Sequence, residues 1–78
     1  MIDKLVFDLE ELGLKIDEVI EVRRDVMIKT KCGVKIWVFD STLELEPRIE
    51  HNGLVYFTDG NKDLAISIVN QVEAIKLS

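Results

Sequence analysis

Residues 43–58 read LELEPRIEHNGLVYFT. Leu43, Leu45 and Ile49 alternate with Glu44, Glu46, Arg48 and Glu50, a period of two that marks a strand with one apolar face. At Asn52-Gly53 the alternation meets the pair best suited to a type I′ turn, which needs positive φ at both positions. Folding the chain back there sets Ile49 opposite Tyr56 and Glu50 opposite Val55. Pro47 has no N–H to give a ladder, so this strand is expected at a sheet edge or with a bulge.

The same period extends towards the N-terminus. Lys31-Cys32-Gly33 fits a three-residue hairpin loop with glycine at the left-handed position. That loop sets Ile28 opposite Ile36 and Met27 opposite Trp37. The expected strands are about 16–23, 26–31, 34–39, 43–50 and 54–58. Arg23-Arg24-Asp25 is a weaker turn signal, so residues 16–31 read either as two strands or as one long bent strand.

Helical periodicity flanks this region. Over 2–12, Ile2, Leu5, Val6, Leu9 and Leu12 form one stripe, with Asp3, Lys4, Asp8, Glu10 and Glu11 on the other side. Gly13 stands where a left-handed C-terminal cap belongs, and Leu14 can supply the accompanying apolar contact. Over 61–76, Leu64, Ala65, Ile68, Val69, Val72 and Ile75 form a second stripe, with Asn61 or Asp59 as its expected N-terminal cap. The expected fold is a single α+β domain over residues 1–78. It has an N-terminal helix, an antiparallel meander of four or five strands and a C-terminal helix, in two layers with both helices on one sheet face.

The composition suits a small core. The chain has 78 residues, 47 % of them hydrophobic, and a net charge of −5. Such apolar content argues against disorder. One cysteine, Cys32, permits no internal disulfide, and with His51 as the single histidine a zinc site of soft ligands is out of reach. Small domains without these supports often oligomerise, so a homo-oligomer or a protein partner is expected. The start carries no secretory pattern and no apolar run is long enough to span a bilayer. The expected location is the cytoplasm, with no membrane partner and no cofactor.

The hairpin registers divide the sheet into two faces. Ile16, Ile20, Val22, Val26, Ile28, Val34, Ile36, Val38, Leu43, Leu45, Ile49, Leu54 and Tyr56 form an apolar face for the helices to cover. The other face carries Val19, Arg23, Met27, Lys29, Lys31, Lys35, Trp37, Phe39, Glu44, Glu46, Val55 and Phe57. A sheet face left to water is normally polar, whereas this one mixes charge with large apolar side chains. Met27, Trp37, Phe39, Val55 and Phe57 are therefore the candidate interface, rimmed by Arg23 and Arg48, because contiguous exposed apolar patches mark interaction surfaces.

Two other readings use the same region. Lys29, Lys31 and Lys35 beside aromatics have the ingredients of a single-strand nucleic-acid platform. Against it, Glu44 and Glu46 are expected opposite Phe39 and Trp37, and net negative charge disfavours non-specific binding. Conversely, Glu44, Glu46 and Glu50 with Glu10 and Glu11 suggest an acidic decoy that mimics nucleic acid. Asp59-Gly60-Asn61-Lys62-Asp63 opens like a calcium loop. Leu64 replaces the required glycine and Asn70 the bidentate glutamate, so turn and cap roles are expected instead. Cys32 and His51 belong to different turns, and no spacing links either to a nucleophile–base arrangement. The acidic residues offer no cleft for general acid/base work. The sequence reads as a non-catalytic interaction module.

Overall fold

The computed structural model describes residues 2–23, 25–40, 45–58 and 63–77. Helix α1 (Ile2–Glu11) leads into five strands, β1 (Ile16–Val22), β2 (Asp25–Thr30), β3 (Lys35–Asp40), β4 (Leu45–His51) and β5 (Leu54–Phe57), and helix α2 (Leu64–Leu77) closes the chain. The strands form one antiparallel sheet in sequence order. Residues 16–30 are thus two paired strands and not one bent strand.

Both expected hairpins form in the expected register. Asn52 and Gly53 have φ of 52° and 80°, as a type I′ turn requires. Ile49 lies opposite Tyr56 and Glu50 opposite Val55. At the β2–β3 loop Gly33 has φ of 88°, and Ile28 pairs with Ile36 and Met27 with Trp37. Thr30 clamps this loop from inside. Its Oγ1 donates to the Val34 carbonyl at 2.8 Å and accepts from the Val34 N–H at 3.0 Å. Thr30 is buried, so Thr30→Val should strand the Val34 N–H and cost about 1–3 kcal/mol. Urea unfolding checks this, with the midpoint falling and the slope unchanged. A loss below about 0.5 kcal/mol, the ordinary scale for inconsequential surface changes, would mean that the clamp is dispensable.

Pro47 sits differently from the expectation. β4 lies between β3 and β5, and its pairing with β3 runs through Val38↔Pro47 without a shift. The strand tolerates proline because the β4–β5 ladder ends at Arg48↔Phe57. Pro47 lies one step beyond that rung. The side of β4 that lacks an N–H there meets no partner strand, which is the local equivalent of an edge.

Helix α1 ends in a Schellman cap. The Leu14 N–H donates to the Leu9 carbonyl and the Gly13 N–H to the Glu10 carbonyl, both at 3.0 Å, with Gly13 at φ 97°. Leu14 and Leu9 are both buried in the core, the apolar contact that accompanies this motif. Leu12 departs from the expected stripe: it falls past the last helical residue and is exposed. On α1's outer side the Lys4 ammonium lies 2.7 Å from an Asp8 carboxylate oxygen. That hydrogen bond, with the charge of Asp8, raises the Lys4 pKa.

Helix α2 begins at Leu64, three residues later than expected, and its cap is Asp63. The Asp63 Oδ1 accepts from the Ile66 N–H at 3.2 Å, and the Asp63 carbonyl accepts from the Ser67 N–H at 3.0 Å. Asp59 and Asn61 lie outside the described residues. Asp63→Ala should cost about 0.5–2 kcal/mol, read as a lower melting temperature, and millimolar calcium should leave the melt of either protein unchanged. A calcium-dependent rise lost in Asp63→Ala would overturn the capping role.

One face of the sheet supplies Val26, Ile28, Val34, Ile36, Val38 and Ile49 to the core; α1 supplies Leu5 and Leu9, and α2 supplies Ala65, Ile68, Val72 and Ile75. The helices pack on each other and α2 packs on β4. The β1 end of the sheet departs from the expected facing. Ile16 pairs with Thr30, but Glu18 pairs with Lys29, so two steps along β1 oppose one along β2. This bulge reverses the facing of every later β1 residue. Val19 then pairs with Ile28 on the helix side, while Ile20 pairs with Met27 and Val22 with Asp25 on the other face. The expected placement of Ile20 and Val22 in the core, and of Val19 on the open face, is reversed. No helix among the described residues is long and apolar enough to cross a membrane.

Candidate functional site

The side of the sheet away from the helices is built in rows, because residues paired across antiparallel strands share a face. The central row runs Ile20, Met27, Trp37, Arg48 and Phe57 across all five strands. Beside it, towards the β4–β5 turn, run Glu18, Lys29, Lys35, Glu50 and Val55. On its other side run Val22, Asp25 and Phe39. Among the described residues no helix or strand covers these rows: Met27, Trp37 and Phe39 are half-buried, Val55 is 52 % exposed and Phe57 67 % exposed.

The centre of the face is ordered by its own contacts. Trp37 and Phe39, two residues apart on β3, point the same way, and their rings stack at 6.4 Å with planes 11° apart. The Arg48 guanidinium lies 5.1 Å from the centroid of the Phe39 ring, within cation–π range. The result is a stacked cluster of indole, phenyl and guanidinium. Arg48 reaches Phe39 because it stands opposite Trp37, with Glu46 opposite Phe39. The expected pairing of Glu44 with Phe39 and Glu46 with Trp37 is therefore two residues out of register, and Glu44 lies outside the described residues.

Five of the seven expected interface residues, Met27, Trp37, Phe39, Val55 and Phe57, share this face, and so does the rim residue Arg48. The exception is Arg23. It occupies the β1–β2 turn with φ of 59°, so it stands beyond the sheet and not on it. Ile20 and Val22 join the patch through the bulge, which makes the face more apolar than expected. The sequence carries no signal for this: alternation puts the adjacent apolar residues Val19 and Ile20 on opposite faces but does not say which takes which.

The lysines separate. Lys29 and Lys35 are opposite each other, but Glu18 flanks the first and Glu50 the second, so the charges of their row cancel. Lys31 is not on the face; it lies in the β2–β3 loop, where its N–H donates to the Lys15 carbonyl at 3.0 Å. There it lines a shallow depression of about 310 Å³ with Lys15, Lys76 and Cys32. That basic corner joins three separate segments and had no signature in sequence spacing. Cys32 is exposed, with Sγ 3.2 Å from Thr30 Oγ1.

The acidic residues also divide. Glu10 and Glu11 project from α1 into solvent, in the helix layer, whereas Glu50 is on the opposite side of the sheet. They form no single acidic surface. His51 closes the β4–β5 turn opposite Leu54. Among the described residues no group of three histidine, cysteine or acidic side chains is placed to hold a metal ion. Compared with protein-family models, with curated proteins and with solved structures, the chain matches none.

Proposed function

We propose that this chain is a non-catalytic interaction module that docks a protein surface, its own second copy or another chain, on the helix-free face of the sheet. The observation that carries this reading is the stacked Trp37–Phe39 pair with Arg48 over it, in a row of apolar side chains that no described element covers. Tryptophan, phenylalanine, methionine and arginine are the residues that interfaces favour. Removing such a patch from water contributes about 25 cal/mol per Å² before association costs. Glu18, Lys29, Lys35 and Glu50 border it with both signs of charge, which suits orientation of a partner better than bulk attraction.

The row pattern supports this reading over nucleic-acid binding. A phosphate backbone needs a net basic track, and here each lysine of the face has an adjacent glutamate. The decoy reading needs its acids on one surface, and Glu10 and Glu11 lie in a different layer from Glu50. Light scattering at increasing salt tests the choice. Association through the apolar face should persist at about 1 M salt, where the screening length is near 3 Å. A complex with single-stranded RNA or DNA that dissolves steeply with salt, and that Lys29→Glu abolishes, would replace this reading.

A further inference from the structure

Among the described residues the meander leaves two open edges, β1 and β5, and they are built in opposite ways. β1 carries Asp17, Glu18 and Glu21 and is kinked by the bulge after Ile16. Charge and bulges are the devices that keep an edge from pairing. β5 is Leu54-Val55-Tyr56-Phe57, with no charge, proline or bulge. Leu54, on the helix side, is 60 % exposed, and Val55 and Phe57, on the other face, are more than half exposed. An uncharged edge with apolar side chains bare on both faces is a template for another strand.

We propose that β5 is a docking edge for β5 of a second copy of this chain, paired antiparallel about a two-fold axis through Tyr56. The hydrogen-bonding phase leads to this register. In the Asn52-Gly53 turn the His51 carbonyl is placed to accept from the Leu54 N–H. Bonded and non-bonded pairs then alternate along the ladder. Leu54 and Tyr56 thereby turn their main chain towards β4, and Val55 and Phe57 turn theirs outward. Centring the two-fold on Tyr56 sets Val55 opposite the partner's Phe57, so each outward N–H meets an outward carbonyl. The pairing forms four main-chain bonds between copies and two β-branched–aromatic side-chain pairs.

The occupant is a second copy because the strand complements itself and its closure is symmetric. A head-to-tail pairing of β5 with β1 would propagate into an open fibre, and the acidic, bulged β1 opposes it. β5 with β5 closes after two chains and leaves only β1 edges exposed. No like charges are brought together, since β5 has none. The two-fold axis stands normal to the sheet, so both helix-free faces end on the same side of a ten-stranded sheet. Four residues make a short ladder, which calls for a reversible dimer and not an obligate one.

This inference does not depend on the face reading, and two variants separate them. Val55→Pro removes an outward N–H while sparing the β4 ladder, an edge position where proline is tolerated; Val55→Ala, which loses the same side chain from the helix-free face but keeps the N–H, is its control and should leave the edge dimer in place. Light scattering and sedimentation over micromolar to millimolar chain should show the edge dimer weakened ~30-fold, about fivefold for each of the two bonds lost across the two-fold. The circular dichroism spectrum should be unchanged. Trp37→Glu should leave the edge dimer intact. As a readout independent of any variant, the Val55 and Phe57 amides should exchange more slowly as wild-type concentration rises. The proposal is overturned if, in the Trp37→Glu background, Val55→Pro associates as tightly as its Val55 parent, if those amides are insensitive to concentration, or if the wild type is monomeric at millimolar concentration. Dimerisation lost in Trp37→Glu and kept in Val55→Pro would overturn the edge and uphold the face.

Discussion

Ile68→Ala and Leu9→Ala should each lower the unfolding free energy by about 2–5 kcal/mol. Both side chains are 0 % exposed, and they come from different helices into the same cluster with Ile28, Ile36 and Ile49. The loss has two parts, the transfer energy of the deleted carbons and the cavity left where the surroundings cannot collapse. Collapse is restricted here because the sheet side of the cluster is held by paired strands on both flanks of β3. A chain of 78 residues has a total stability of about 5–15 kcal/mol at most, so either variant consumes a large share of it. Denaturant titration gives the answer directly, with an unchanged slope showing that the unfolded state is the same. A change below about 1 kcal/mol in both would mean that the helices do not seat on this face as described.

The parts of the fold that local chemistry decides were legible in the sequence. Asn52-Gly53 and Lys31-Cys32-Gly33 fix their hairpins because few residues accept positive φ, and each turn then determines every pair behind it. Gly13 and Leu14 announced the end of α1 for the same reason. Three features escaped because they depend on the third dimension. The β1 bulge reverses the facing of Ile20 and Val22, and nothing in IDEVIEV requires the extra residue to fall before Glu18; the partner strand decides that. Asp63 was one of three Asp or Asn residues available as a cap, and the choice depends on where the β5–α2 connection lets the first turn form. The basic corner of Lys15, Lys31 and Lys76 exists only because one hairpin loop and the ends of both helices converge there. The cluster itself was legible from alternation, but its contact between Arg48 and Phe39 required the β3–β4 register, which the sequence left without a turn signal.

Trp37→Glu is expected to abolish association through the helix-free face while leaving the fold intact. The side chain sits at the middle of the central row, between Met27 and Arg48, and stacks on Phe39. In the isolated chain it is only half-buried, so a carboxylate there keeps access to water and has Arg48 beside it. Stability should change by about 1 kcal/mol, the ordinary scale for a substitution outside the core. Seated against a partner the same carboxylate loses its hydration, and a desolvated charge costs several kcal/mol unless it is paired. A truncated central aromatic alone costs 2 kcal/mol or more in interfaces built around such anchors. Together these predict a loss of at least about a hundredfold in affinity. The cleanest measurement uses the Val55→Pro background, where edge pairing is silent and any remaining self-association must use the face. Adding Trp37→Glu should then give a monomer with unchanged circular dichroism. Trp37→Phe, which keeps an aromatic surface, should retain most of the association. If Trp37→Glu unfolds a chain that is otherwise a clean monomer, the patch is part of the structural core and the docking function fails. If it associates as wild type does, the partner-binding surface lies elsewhere on the molecule.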